Sequence, residues 1–200
     1  NALQWAIGLE IFLLVDDPWR VFLTTDHPNG APFTTYPHLI RLLMDKSFRN
    51  DMLSTIHPEA QKMTTLASID REYSLQEIAI LTRAGAAKLV GLDDRGSLGE
   101  GAWADITVYT DNTDREKMFE KPDYVFKDGE LVVVDGKVVH TTWGTTHIVR
   151  PDWDISVEQD LQKYFDRFMT MKVGNFKISD DEMTEDGRGS LTAHTLNSIS

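Results

Sequence analysis

The residues best suited to chemistry stand in one run, Thr24-Thr25-Asp26-His27-Pro28-Asn29-Gly30-Ala31-Pro32-Phe33. An aspartate at the carboxyl end of a buried strand, followed by a tight loop, is where α/β barrels place catalytic groups. A carboxylate there can ligate a divalent cation. It can also take a proton from a cation-bound water, whose pKa the metal brings toward neutrality. The competing reading is a plain turn, with Asp26 as a cap, His27 as a surface ring and Asn29-Gly30 as a turn dipeptide. One Asp-His-Pro does not separate the two.

The elements that must position this run can be read from pattern. Ala2 to Leu14 is densely apolar and predicts a buried helix, ended by Asp16, Asp17 and Pro18. Trp19 to Thr25 is β-rich and predicts a strand, with Val21, Phe22 and Leu23 buried on both flanks as in a parallel sheet. Residues 37 to 91 read as helical. Pro37 suits a first turn, Ser47 is a candidate cap, and His57-Pro58 ends one helix and begins the next. Ser74 and Glu77 form a capping box and Tyr73 and Ile78 a hydrophobic staple. Leu75, Ile78, Ala79, Thr82, Ala86 and Leu89 then share a face, and Gly91 closes the helix.

From Gly101 the period drops to two. Strands are predicted at 104–109, 124–127, 131–134 and 137–142, with Asp128-Gly129 and Asp135-Gly136 as hairpin turns. Beyond Pro151 comes one more helix, capped by Ser156 and Gln159, faced by Val157, Leu161, Tyr164, Phe165 and Phe168, and ended at Gly174. Residues 184–200 read as a mobile polar tail.

Composition narrows the function. The net charge of −12 argues against nucleic acid or an anionic membrane as partner. With no cysteine, disulfides, iron–sulfur clusters and thiolate zinc sites within this chain are excluded. No apolar run reaches the ~18 residues of a membrane span. The expected setting is cytoplasmic. The chain opens at Asn1, inside a helical pattern, and is read as part of a longer polypeptide.

A second segment gives the first its meaning. Gly91-Leu92, then Arg95-Gly96-Ser97-Leu98 and Ala104-Asp105-Ile106-Thr107-Val108, resemble the C-terminal signature of the amidohydrolase superfamily. In that family a metal-binding Asp ends the last barrel strand upstream, and Thr25-Asp26-His27-Pro28 occupies that place. Asn1 to Glu10, Asp17 to Phe33, Trp143-Gly144-Thr145-Thr146 and Asn175 to Glu182 further resemble the A-subunit family of formylmethanofuran dehydrogenases. The likeness covers nearly all of residues 1–183.

The resemblance implies an α/β fold: the C-terminal part of a (β/α)8 barrel, a small β-sandwich and a C-terminal helical extension. The implied boundaries are 1–92, 93–150, 151–183 and, for the tail, 184–200. It implies amide chemistry, the condensation of formate with the amine of methanofuran, at a dinuclear zinc centre. Asp26 would be metal ligand and catalytic acid or base. His27, Asn29 and Gly30 would line the substrate pocket, with Asn29 on a formyl oxygen. Partner subunits would carry a molybdenum or tungsten pterin and iron–sulfur clusters. The family's other metal ligands do not map here, so the chain alone is expected to be inactive. His38, His57, His140, His147 and His194 read as structural or exposed, with no two at metal-ligand spacing. Arg83, Arg95 and Asp105 read as a structural lock between helix and sheet. Asp180-Asp181-Glu182 reads as a solvated or docking face. Three alternatives stand beside this reading: the corresponding component of a formyltransferase/hydrolase complex, a stand-alone hydantoinase- or dihydroorotase-like hydrolase, and a metal-free scaffold.

Overall fold

The computed structural model of the chain describes residues 2–196, which fall into two compact units, Asn1–Thr141 and Thr142–Ser200. The first unit is built on helices. Helix α1 (Ala2–Leu14) is apolar on almost every side, and α2 (Tyr36–Met44) carries Pro37 in its first turn. They bury Ala6, Leu9 and Leu13 against Ile40, Leu42 and Leu43. The other side of α1 is not covered: Ile7, Ile11 and Leu14 are 40%, 55% and 63% exposed, so the fully buried helix expected there is half realised.

Helix α3 (Lys46–Thr55) starts at Asp45, whose carboxylate accepts from the Phe48 amide at 2.8 Å. The expected cap Ser47 lies inside the helix. An acceptor at Asp45 reaches the third helical amide, and a side chain already within the first turn does not. His57 does break the chain as expected, and its Nδ1 caps α4 (Pro58–Lys62).

The capping box predicted at Ser74 and Glu77 is formed on α5 (Leu75–Ala79), with Tyr73 and Ile78 both buried beside it. Tyr73 also donates to the Phe12 carbonyl at 2.5 Å and ties this start to α1. A π turn (Ile80–Ala84) then joins α5 to α6 (Gly85–Leu89). A π turn takes one extra residue and re-phases the face downstream. Ile78, Leu81 and Gly85 are therefore buried, while the expected stripe ends Leu75 and Leu89 are 41% and 66% exposed.

Four antiparallel strands follow as a meander, β1 (Ile106–Val108), β2 (Tyr124–Lys127), β3 (Glu130–Val134) and β4 (Lys137–Val138), with α7 (Arg115–Glu120) between the first two. Both hairpins turn on Asp-Gly pairs with positive φ at both residues (53° and 84°, 51° and 71°), the geometry that matches strand twist. The strand expected over 137–142 stops at Val138. One sheet is formed by the described residues here; a second sheet that would complete a sandwich is not.

The strand expected at 19–25 is not formed. Asp17 accepts from the Trp19 amide at 3.1 Å and Pro18 begins a 3-10 turn, Pro18–Arg20. Val21 itself is extended (φ −129°, ψ 146°), but residues 21–25 pair with no strand among the described residues. An extended segment becomes a strand only when a neighbour supplies the ladder. The burial expected on both of its flanks is only partly realised, with Val21, Phe22 and Leu23 each half-buried. Val21 and Leu23 pack on the core, while Phe22 faces Gly85, where an added Cβ would lie 3.2 Å from its ring.

In the second unit β5 (Thr145–Pro151) pairs in parallel with β6 (Ser190–Leu196). A parallel pair needs a crossover, here α8 (Val157–Phe168), a 3-10 turn (Val173–Phe176) and α9 (Asp180–Met183). Residues 190–196, expected as tail, are thus a paired strand; residues 197–200 lie outside the described residues. The cap expected at Ser156 is not made. Its own backbone is helical, and its amide donates to Asp154 at 2.9 Å. Helix α8 ends at Phe168, earlier than Gly174. Its aromatic stripe, with Tyr164 and Phe168 50% and 61% exposed, is largely uncovered. No described helix is long and apolar enough to cross a membrane.

Candidate active site

Asp26 follows the unpaired segment 21–25 and sits at φ 49°, a left-handed conformation that aspartate tolerates better than most residues. Two backbone bonds close the loop behind it: the Gly30 amide donates to the Asp26 carbonyl and the Ala31 amide to the Thr25 carbonyl, both at 2.8 Å. Gly30 is required by this closure. A Cβ there would stand 2.5 Å from the Thr25 carbonyl oxygen and 3.1 Å from the Asp26 Cβ. The close approach expected of Gly30 is thus made to the chain itself. His27 stacks on Phe33 with ring centroids 4.0 Å apart, and Asn29 is exposed on the turn.

The loop fixes the backbone of Asp26 and leaves its side chain uncommitted. The carboxylate is exposed and meets no hydrogen-bond donor or ion-pair partner among the described residues. Just behind it the Thr25 hydroxyl is buried, and it too has no partner there. Other loop aspartates differ, since those of Asp17, Asp45 and Asp114 each cap a turn. The plain-turn reading, in which the Asp26 side chain caps, is therefore not what the loop does.

As a fit for metal the arrangement is partial. Asp26 is a hard oxygen donor in an exposed position on a backbone held by the loop. Among the described residues, however, no three His, Cys, Asp or Glu side chains come together to hold an ion. A cleft of about 260 Å³ in the same unit is lined by Tyr36, Ile40, Thr82, Arg83, Tyr109 and Phe119. Asp26 is not among its walls, so this cleft is separate from the candidate chemistry.

The second motif is a junction. Gly96 (φ 77°) lies so close to the helix that a Cβ would be 2.7 Å from Ala87 and 3.1 Å from the Ala84 Cα. Arg95, beside it, donates to Asp105 and Asp128 at 2.5 Å each, and Lys127 donates to the same two carboxylates at 3.0 to 3.2 Å. Arg83 reaches the Tyr109 hydroxyl at 3.3 Å. These contacts tie helix to sheet, as the structural reading of Arg83, Arg95 and Asp105 has it. Asp128 and Lys127 were not expected in this lock; their turn position says nothing of a partner 33 residues upstream.

Partial burial raises the Asp105 carboxyl, but the Asp128 amide, Lys127 and Arg95 together hold it below its ordinary value of 3.8. Asp128 is held below 3.8 in the same way, by Arg95 and Lys127 against its burial. A carboxylate whose folded pKa is depressed stabilises the fold above its unfolded pKa and loses that contribution as the pH falls through the folded one. The stability gap between the parent and Asp105→Asn is therefore expected to be widest near neutrality and to close as the pH drops below 3.8. Urea midpoints measured across that range check this; a gap that stays constant would remove the network's charge from the account.

With these positions in hand, likeness to known proteins becomes informative. The sequence profile of the Amidohydrolase family matches residues 1–140. The chain belongs to the amidohydrolase family. Among curated amidohydrolase relatives, the A subunit of the formyltransferase/hydrolase complex Fhc of Methylorubrum extorquens is 48% identical over 169 residues, 84% of this chain and 31% of that protein. Protein FwdA of Methanocaldococcus jannaschii is 42% identical over 196 residues, 90% of this chain and 34% of that protein. A crystal structure of the FhcABCD complex from Methylorubrum extorquens with methylofuran superposes with a TM-score of 0.85 at 43% identity, over 98% of this chain and 36% of its counterpart. The chain thus spans about a third of the length of the relatives it matches.

The histidines complete the inventory. His38 meets Glu116 at 3.2 Å and His140 meets Glu130 at 3.1 Å, both structural pairings. His147 and His194, 47 residues apart and expected to be scattered, are brought together at 3.0 Å. Asp180 pairs with Arg150 at 2.7 Å and Glu182 closes a capping box on Ser179, so the acidic run is largely the start of α9.

Proposed function

We propose that this chain is the C-terminal part of an amidohydrolase subunit that forms or breaks the formyl amide of a furan-bearing amine cofactor. The observation that carries the reading is Asp26: a carboxylate left free by its own loop, in a chain of the amidohydrolase family that is 42–48% identical to FwdA and to its counterpart in the Fhc complex. The reading includes a barrel completed by chain outside these residues, with a β-sandwich after it and zinc ligands supplied from that barrel.

Asp26 fits such a centre as one oxygen ligand. The bound metal, when present, polarises the formyl carbonyl as a Lewis acid. The Asp26 carboxylate takes a proton from the water whose oxygen adds to the formyl carbon and hands it to the amine nitrogen as the C–N bond breaks. In the condensing direction it takes the proton from the attacking amine and gives it to the oxygen that leaves the formate carbon as water. The closure of the loop by the Gly30 and Ala31 amides fixes the backbone from which the carboxylate projects, and a metal bound there would hold its oxygens for a proton transfer over hydrogen-bond distance. In this reading His27, Asn29 and Gly30 rim the substrate pocket, and the exposed Asn29 would bond a formyl oxygen.

Two complexes are compatible with this chemistry. The formylmethanofuran dehydrogenase reading joins the chain to pterin- and iron–sulfur-bearing partners that reduce carbon dioxide to formate. The formyltransferase/hydrolase reading stands equally, since 48% over 169 residues of the Fhc relative and 42% over 196 residues of FwdA amount to about the same number of identical positions. The intact protein is expected to release formate from a formylated furan amine, to lose that activity to a chelator and to regain it with Zn²⁺, while residues 1–200 alone stay inactive. Metal-independent turnover, or turnover by residues 1–200, would sink the assignment. Copurified subunits carrying a pterin, or their absence, decide between the complexes.

A further inference from the structure

We propose that His147 and His194 form a second, surface metal site, for a late first-row divalent cation that prefers imidazole, Cu²⁺ first among them. It goes beyond the amide chemistry above and shares no residue with it. Strands β5 and β6 pair in parallel with His147 opposite Thr192 and Val149 opposite His194. Alternate residues of a strand share a face, so both histidines stand on one face, one step apart along the ladder. Their Nδ1 and Nε2 atoms are 3.0 Å apart, and the rings lie within 20° of parallel.

That separation is what chelation needs. Two imidazole nitrogens bound about 2.0–2.1 Å from one ion stand about 2.9 Å apart at a right angle and about 3.3 Å apart at the tetrahedral angle. The observed 3.0 Å lies between the two. Both rings are exposed, so each can turn its lone pair toward a shared ion, and water can fill the remaining positions. The proton now between the two nitrogens moves to the far nitrogen of its ring, leaving two neutral donors. No acidic side chain joins them in a cluster of three among the described residues. The donor set is therefore purely imidazole, which suits Cu²⁺, Ni²⁺ and Zn²⁺ over Mg²⁺ or Ca²⁺. A bound ion would fasten β6 to β5 by its side chains, in addition to the ladder.

The test is titration of the intact protein, its catalytic site already loaded with metal, with Cu²⁺ in a non-coordinating buffer at about pH 7.5, where imidazole is largely neutral. The parent is expected to take up one ion with an electron paramagnetic resonance spectrum showing nitrogen ligation. His147→Gln and His194→Gln are each expected to weaken uptake at least about tenfold and to reduce the nitrogen couplings. His140→Gln, whose ring pairs with Glu130 on another sheet, is expected to match the parent. Uptake by either His147→Gln or His194→Gln equal to the parent's, a spectrum without nitrogen ligation, or no uptake by the parent at millimolar Cu²⁺ would each overturn the site.

Discussion

On the proposed function, Asp26→Asn in the intact protein is expected to lower turnover at least about a hundredfold, the usual span for losing a positioned acid or base, and to leave the urea midpoint where it is. Asparagine is the right replacement because Asp26 sits at φ 49°, where Asn is tolerated and alanine adds backbone strain. An exposed carboxylate without partners contributes little to stability, so the change is expected to stay within about 0.5 kcal/mol. The two outcomes pull apart the two readings of the loop. A turn residue would lose stability and not turnover; a reacting residue does the reverse. Retained turnover in Asp26→Asn would end the proposal for this residue. Gly30→Ala should resemble the loss of Asp26 in turnover, since its Cβ collides with the Thr25 carbonyl and pushes the loop away.

The largest effect on folding is expected at Arg49. Its side chain is wholly buried. One guanidinium nitrogen donates to the Leu42 carbonyl at 2.8 Å, and another donates to those of Ile69 and Arg71 at 3.1 and 3.0 Å. The end of α2 and the segment leading to Tyr73 are thereby held by one planar fork. Burial holds the guanidinium pKa below its ordinary value, with Glu72 and Asp45 opposing this only in part. Arg49→Met fills the space but leaves three carbonyls without a donor. At about 1–3 kcal/mol per unmet buried group, the loss is expected to reach about 3 kcal/mol or more. Arg49→Lys should recover only part of it, because one ammonium cannot reproduce the fork. Urea unfolding followed by far-ultraviolet circular dichroism measures both; an Arg49→Met midpoint equal to the parent's would remove Arg49 from the framework.

What could be read before any coordinates were the features that short-range rules decide. The Ser74–Glu77 box, the Asp-Gly hairpins and the His57-Pro58 break each depend on residues a few places apart, and each is present. The motifs around Asp26 and Arg95 were legible only together, through their resemblance to the amidohydrolase signature, since one Asp-His-Pro by itself fits a plain turn equally well.

Tertiary structure decided whatever depended on distant partners. The segment 21–25 has a strand's composition but stays unpaired, because a ladder is supplied by neighbours and none lies among the described residues. Arg49, an ordinary charged residue in a helical pattern, became the buried tie of the first unit. Residues 190–196 read as tail because they are polar, and backbone pairing with β5 needs no apolar side chains. His147 and His194 met for that reason alone: a parallel ladder sets two residues side by side however far apart they are in the chain.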